Sequence, residues 1–416
     1  MEEFIRHGTP AFRRSNLALF AAGVATFGLL YCVQPLMPEF SRDFGVSAAV
    51  SALSLSLTSG VLAVTMLFAG ALADSWQRKK TMSLALFTSA LLVLASAAAP
   101  DWRSLLILRS ILGLTLSGLP AVAMAYLSEE MHPDSIGLGM GLYISGSAVG
   151  GMGGRLLVGV LADFLGWRLG MAAMGATGLV AATVFSRSLP PSRHFAPRRL
   201  DWRALPRRYA DLFRDQGLPW LFAEGFLLLG AFVTIYNYIG YRLLAPPYAL
   251  SQSAVGLIFS VYIVGIFSST WVGHLGGRLG RRKVLWTMFA LMLAGVGLTL
   301  FAALWIVILG MVVVTFGFFG GHSIVSTWVG RRSGPLKGHA ASMYLFAYYL
   351  GSSVAGAAGG LFYAAHGWPG VAAFVAGLWT LGLLIAWRLY DVAPLRAEAA
   401  VSPPQTGALS SGTGRR

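Results

Sequence analysis

The chain has 416 residues, of which 56% are hydrophobic and 11% charged, with a formal net charge of +15 and one cysteine. A soluble domain carries about 25% charged residues, so uncharged apolar blocks of about 20 residues exclude that class and mark a chain built into a bilayer. The lone Cys32 excludes an intrachain disulfide and argues against a Cys-rich metal site, and the basic excess invites a nucleic-acid partner that its distribution excludes below.

Residues 1–16 form a basic N-terminus with Arg6, Arg13 and Arg14. Span one, near 17–37, is long enough to cross a bilayer and shows no cleavable signal, so it is expected to be retained as a helix. It ends in Tyr31-Cys32-Val33-Gln34-Pro35-Leu36-Met37-Pro38, where Tyr31 and Gln34 would be costly facing lipid and become candidates for a substrate cavity. Span two, near 48–71, runs into the turn Gly70-Ala71-Leu72-Ala73-Asp74-Ser75-Trp76-Gln77-Arg78-Lys79-Lys80. Span three follows near 81–99. Span four, near 104–127, carries Leu108-Arg109-Ser110-Ile111-Leu112-Gly113. An arginine near mid-membrane costs ~3 kcal/mol or more, so Arg109 either faces an aqueous interior or snorkels to the end near Arg103, ~9 Å away.

Span five, near 138–161, has glycines at i, i+4 and i+8 (Gly146, Gly150, Gly154), a spacing that suits close helix packing. Arg155 follows directly, and Asp163, eight residues on, could offset its charge. Span six lies near 168–187. The Pro- and Arg-rich linker 188–217 divides the chain, and Asp201 to Phe213 predicts an amphipathic helix on the inner leaflet. Span seven, near 218–240, contains Glu224 and ends in Tyr236-Asn237-Tyr238-Ile239-Gly240-Tyr241, which adds Tyr236 and Asn237 to the cavity candidates.

Span eight, near 252–273, opens a second basic turn, Gly273-His274-Leu275-Gly276-Gly277-Arg278-Leu279-Gly280-Arg281-Arg282-Lys283, beginning 203 residues after the first. Spans nine to twelve are expected near 284–303, 305–328, 340–364 and 369–389, with His322 in span ten. Span eleven repeats the glycine run of span five as Gly351 to Gly359, and Gly166-Trp167 returns as Gly367-Trp368. The tail, 391–416, is Pro/Ser/Gly-rich and expected to be disordered. With the N-terminus inside, 25 of the 31 Lys and Arg residues fall on the cytoplasmic side. Only Arg42, Arg103, Arg168 and Arg242 fall outside, and Arg109 and Arg155 lie within spans. That split follows the positive-inside rule, so the basic excess is a topology signal rather than a nucleic-acid surface.

The two halves resemble the major facilitator superfamily over about 17–390. In the first turn Gly70, Leu72, Ala73, Asp74, Arg78 and Lys79 match the family's Gly-x-Leu-Ala-Asp-x-x-Gly-Arg-Arg/Lys signature, with Gln77 in place of glycine. The second keeps Gly280, Arg281, Arg282 and Lys283 but has Gly277 at the acidic position. Arg109 to Gly113 resembles the Arg-x-x-x-Gly motif of proton-coupled members. The span-five stripe resembles the antiporter motif, with Gly151 in place of its proline and Arg155 in place of its last glycine. The chain is further similar to arabinose-efflux-like transporters of the drug:proton antiporter branch.

The resemblance implies an all-α membrane protein of twelve transmembrane helices in two six-helix pseudo-symmetric bundles, 17–187 and 218–390. Spans one, four, seven and ten would surround a central cavity. Asp74 would latch one conformation, or else sit in a solvated turn. Arg109 would tune the proton site. Glu224 would carry the proton, with His322 as second candidate; an interfacial carboxylate and an interhelical hydrogen bond are the plainer roles for these two. The expected activity is proton-coupled efflux of small organic molecules by alternating access, from a monomer in the bilayer of a bacterial inner membrane, both termini cytoplasmic. Uptake of a sugar or organic anion by a symporter or facilitator is the alternative. No cofactor is called for, and no nucleotide loop or Ser/His/Asp arrangement suggests an enzyme.

Overall fold

A computed structural model describes residues 4–73, 77–195, 204–390 and 392, apart from the side chains of 69–73 and 204. Among them the only β pairing is an isolated bridge between Ile5 and Met131. Among the described residues, ten helices are long and apolar enough to cross a membrane. The last of these contains Lys337–Arg388, which breaks at Gly367 (φ 60°, ψ −146°) into spans eleven and twelve. Span nine, Arg281–Leu298, begins with three basic residues. Each of the twelve expected segments is thus helical.

Several boundaries differ from expectation for local reasons. Span one begins at Pro10 because the Thr9 hydroxyl accepts from the Phe12 N–H and proline suits a first turn. It ends at Tyr31, since Pro35 has no N–H to offer the Tyr31 carbonyl. The chain then passes through the short turn Gln34–Leu36 into a second helix, Met37–Phe44, closed by left-handed Gly45. Span four is interrupted between Trp102–Leu116 and Leu119–Glu130. The second basic turn is not a loop throughout: after Gly280 (φ 91°), Arg281, Arg282 and Lys283 form the first turn of span nine. The linker helix runs Ala204–Leu212, and residues 201–203 of the expected amphipathic segment lie outside the described residues. So does the tail, except Val392.

The helix ends carrying the linker and the N-terminus form one face, called here the linker side; the opposite face is the far side. Packing repeats between the halves. Span one lies on five as seven lies on eleven, and three lies on six as nine lies on twelve. Between halves, two packs on eleven and five on eight. A shift of six spans exchanges these last two pairs, as a twofold pseudo-axis requires. Backbones touch where glycine removes the side chain. A Cβ on Gly150 would lie 2.1 Å from the Val24 carbonyl oxygen, one on Gly146 2.4 Å from that of Phe20, and one on Gly154 2.8 Å from Gly28 Cα. Gly351 meets the Phe226 carbonyl in the same way at 2.1 Å.

Candidate functional site

The break in span one places Gln34 on the pseudo-axis. Its Nε2 donates to Asn237 Oδ1 of span seven at 2.8 Å. The two residues are 203 apart, the same offset as the basic turns, so symmetry-equivalent positions meet across the axis. Arg155 Nε donates to Gln34 Oε1 at 2.7 Å, extending the chain to Arg155–Gln34–Asn237. Arg155 Nη1 also donates to the Gly151 carbonyl at 2.5 Å. The guanidinium carbon lies over the rings of Tyr31, Tyr262 and Phe259 at 4.3, 4.8 and 5.2 Å. Cation–π contacts contribute about 0.5–1 kcal/mol each at exposed sites and about 2 kcal/mol or more when desolvated, as here. Tyr236 joins this aromatic cluster through Phe259 and Tyr262, and its hydroxyl pairs with Thr315 Oγ1 at 2.7 Å. All five sequence-derived cavity candidates therefore fall in one place.

Other bonds join the halves on the far side. The Tyr241 hydroxyl meets Ser41 and Ser51 and donates to the Met37 carbonyl. Gln252 Nε2 donates to the Pro35 carbonyl. Asp163, expected to offset Arg155, instead accepts from the Ser253 N–H at 3.2 Å, across the five–eight contact.

Glu224 sits in the half of the C-terminal bundle nearer the linker side. It is fully buried, and neither carboxyl oxygen has a hydrogen-bond partner among the described residues. Burying a polar group without a partner is costly, so a retained one invites a functional account. Gly225, next to Glu224 in the chain, admits the Tyr344 ring, 2.6 Å from where a Cβ would be. The Tyr344 hydroxyl pairs with His322 Nδ1 at 2.8 Å, and the His322 ring lies 4.7 Å from that of Tyr348. Spans seven, ten and eleven thus bring His322 and the backbone beside Glu224 against Tyr344. Ring contacts continue from Tyr348 through Phe318 and Phe232 to Tyr262, linking this group to the Arg155 cluster. Sequence reasoning missed Tyr344; its signal was the spacing Tyr344, Tyr348, which repeats on one helical face.

Arg109 does not line a cavity. It is fully buried, donating from Nε to the Ser54 carbonyl (3.0 Å), from Nη1 to Leu29 (3.0 Å) and from Nη2 to Leu30 (2.6 Å). Leu29 and Leu30 belong to the last turn of Pro10–Tyr31, where carbonyls lack intrahelical partners and a cation is favoured. Arg109 therefore caps span one just before the segment that presents Gln34.

Of the turn residues, Asp74 lies outside the described residues, and Gly70 is helical without described surroundings. Arg78 is buried and grips Glu129 with two bonds, 3.1 and 2.6 Å. Lys79 Nζ donates to the Leu189 carbonyl at 2.5 Å, and Arg282 donates to the carbonyls of Tyr390 and Val392. Lys79 and Arg282, and likewise Leu189 and Val392, are 203 residues apart. Both basic turns thus tie the start of one helix to the end of another in the same half. The pairs are three with six and nine with twelve.

Comparison with known proteins agrees with this architecture. The family model for the Major Facilitator Superfamily matches residues 19–250 and 227–412. The chain is 48% identical over 383 residues to the uncharacterized MFS-type transporter YybF of Bacillus subtilis, covering 92% of this chain and 94% of the relative. It is 48% identical over 388 residues to the inner membrane transport protein YnfM of Escherichia coli, covering 93% of each. Among solved structures, a bacterial homolog of the human lysosomal transporter Spinster, inward-facing and occupied, superposes with a TM-score of 0.76 at 15% identity, over 93% of this chain and 98% of that one.

Proposed function

The chain belongs to the Major Facilitator Superfamily, and from that premise we propose that it is a proton-coupled exporter of small organic molecules in a bacterial inner membrane, with its linker side and termini in the cytoplasm. As a member it is a multi-pass secondary transporter of a small-molecule substrate and not an enzyme. The observation that carries the proton reading is Glu224, a fully buried carboxyl without a hydrogen-bond partner among the described residues, next in the chain to the Gly225 on which Tyr344 of the Tyr344–His322 pair packs. An ionisable group inside a membrane bundle is by default a functional one. Glu224 holds the proton in one state and releases it in the other, with Tyr344 and His322 as the polar path toward the central aromatic cluster. Arg109 acts on coupling through span one, whose end it fixes. The Arg155–Gln34–Asn237 chain joins the halves on the far side, so it breaks and reforms as the carrier alternates. Export is favoured by the resemblance of the span-five glycine stripe to the antiporter motif.

The test is flux in proteoliposomes with an imposed pH gradient. Acid-inside vesicles accumulate solute as protons leave, and a protonophore abolishes the accumulation. Accumulation indifferent to the gradient would overturn proton coupling. A second reading, uptake of an organic anion by symport, is favoured by Arg155, which pairs with no carboxylate among the described residues; it requires accumulation in acid-outside vesicles instead.

A further inference from the structure

We infer that the cargo is an organic anion with an aromatic or flat apolar body, and that Arg155 is its anchor. Arg155 is 2% exposed and lies between the halves. Among the described residues no carboxylate pairs with it. The acid nearest on its own helix, Asp163, is engaged with Ser253. Nε and one Nη1 proton are committed to Gln34 and Gly151, whereas Nη2 makes no hydrogen bond among the described residues and is not sealed from solvent. A buried cation with spare donors and no counter-ion is stable only if something else compensates it. Three ring faces do part of this, and a planar anion meeting the guanidinium edge does the rest.

Other cargo chemistries fit less well. A cation would meet an unopposed like charge. A neutral polyol would find both polar atoms of the Gln34 amide and the Asn237 oxygen already engaged, with only Asn237 Nδ2 open to it. The rings of Tyr31 and Tyr262 offer the flat faces that an aromatic body needs. An anion bound across Nε and Nη2 also takes the donor that now holds Gln34, so loading the site loosens the bond to Asn237 that joins the halves. The inference rests on the transport reading only in placing cargo at this site.

The experiment is equilibrium binding to the purified full-length protein without any gradient, using three probes with one ring system: 1-naphthoate, 1-naphthamide and 1-naphthylmethylammonium. The expected result is that naphthoate binds at least about tenfold tighter than either other probe. Arg155→Gln should erase that preference, and Arg155→Lys should keep part of it. Equal affinities for the three probes in the unmodified protein, no saturable naphthoate binding, or undiminished naphthoate binding in Arg155→Gln each overturn the inference. The probe comparison stands even if the variants fail to fold. Gradient-driven movement of the amide or ammonium probe would leave the transport reading intact while removing this one; naphthoate binding through Arg155 without gradient-driven flux would do the reverse.

Discussion

Replacing Arg109 by alanine separates a capping role from a coupling role. The guanidinium makes three bonds, 3.0, 3.0 and 2.6 Å long, to carbonyls of Ser54, Leu29 and Leu30, all inside the N-terminal bundle. Hydrogen bonds to charged groups contribute about 1.5–3 kcal/mol each in soluble proteins, but inside membranes the average is nearer 0.6 with a maximum near 1.7. Three such bonds, plus carbonyls left unpaired in a dry site, give a loss of about 3–5 kcal/mol. That is a large share of a typical stability of about 5–15 kcal/mol. For a chain this large 1 kcal/mol corresponds to about 1 °C, so the purified protein should melt about 3–5 °C below wild type. Arg109→Lys should fall between, because an ammonium lacks the planar fork that spans three acceptors. Arg103→Ala, at an exposed position on the same helix, serves as control and should leave melting unchanged. Thermal melting in detergent, followed by fluorescence size exclusion, reads the effect. A variant Arg109→Ala that melts within about 1 °C of wild type but loses coupled transport would refute the capping argument and return Arg109 to the proton site.

Gly150→Ala should destabilise by about 1–3 kcal/mol, since the new methyl would lie 2.1 Å from the Val24 carbonyl oxygen; Gly153→Ala, with open space around it, should be neutral or slightly stabilising. Equal melting of the two variants would contradict the close contact of spans one and five. Asn237→Ala removes the bond on the pseudo-axis. It should shift the equilibrium toward a far-side-open state about 3- to 20-fold, seen as longer distances between spin labels at exposed positions 42 and 300; an unchanged distribution counts against the latch. Asp101 caps span four, and the Ser104 N–H and then its hydroxyl hold the carboxyl below its ordinary value. Its contribution is therefore full above about pH 4 and is lost as pH falls through the lower folded value. The melting gap between wild type and Asp101→Ala should be constant from neutral pH down to about 5 and close in stronger acid; a gap that widens in acid would refute the assignment.

The fold was largely legible because its signals are local and repeated. Long apolar runs, basic turns 203 residues apart and paired glycine stripes each needed only one segment or two copies of it. The same offset separates Gln34 from Asn237, so even the bond on the axis had a signature in the numbering, although both residues stood out only as polar groups in apolar helices. What escaped depends on three-dimensional neighbours. Arg109's role follows from where span one stops, which Pro35 sets, and from which carbonyls this leaves open. Tyr344 looked like one aromatic among many until Gly225 and His322 were placed against it. Arg155 was expected to lean on Asp163, but Asp163 faces the opposite half.

The most direct measurement of proton coupling compares wild type with Glu224→Gln in proteoliposomes, assaying solute counterflow without a pH gradient and accumulation driven by one. A carboxamide keeps the shape of Glu224 but cannot exchange a proton. Glu224→Gln should retain counterflow and lose gradient-driven accumulation. Accumulation equal to wild type in that variant would contradict it.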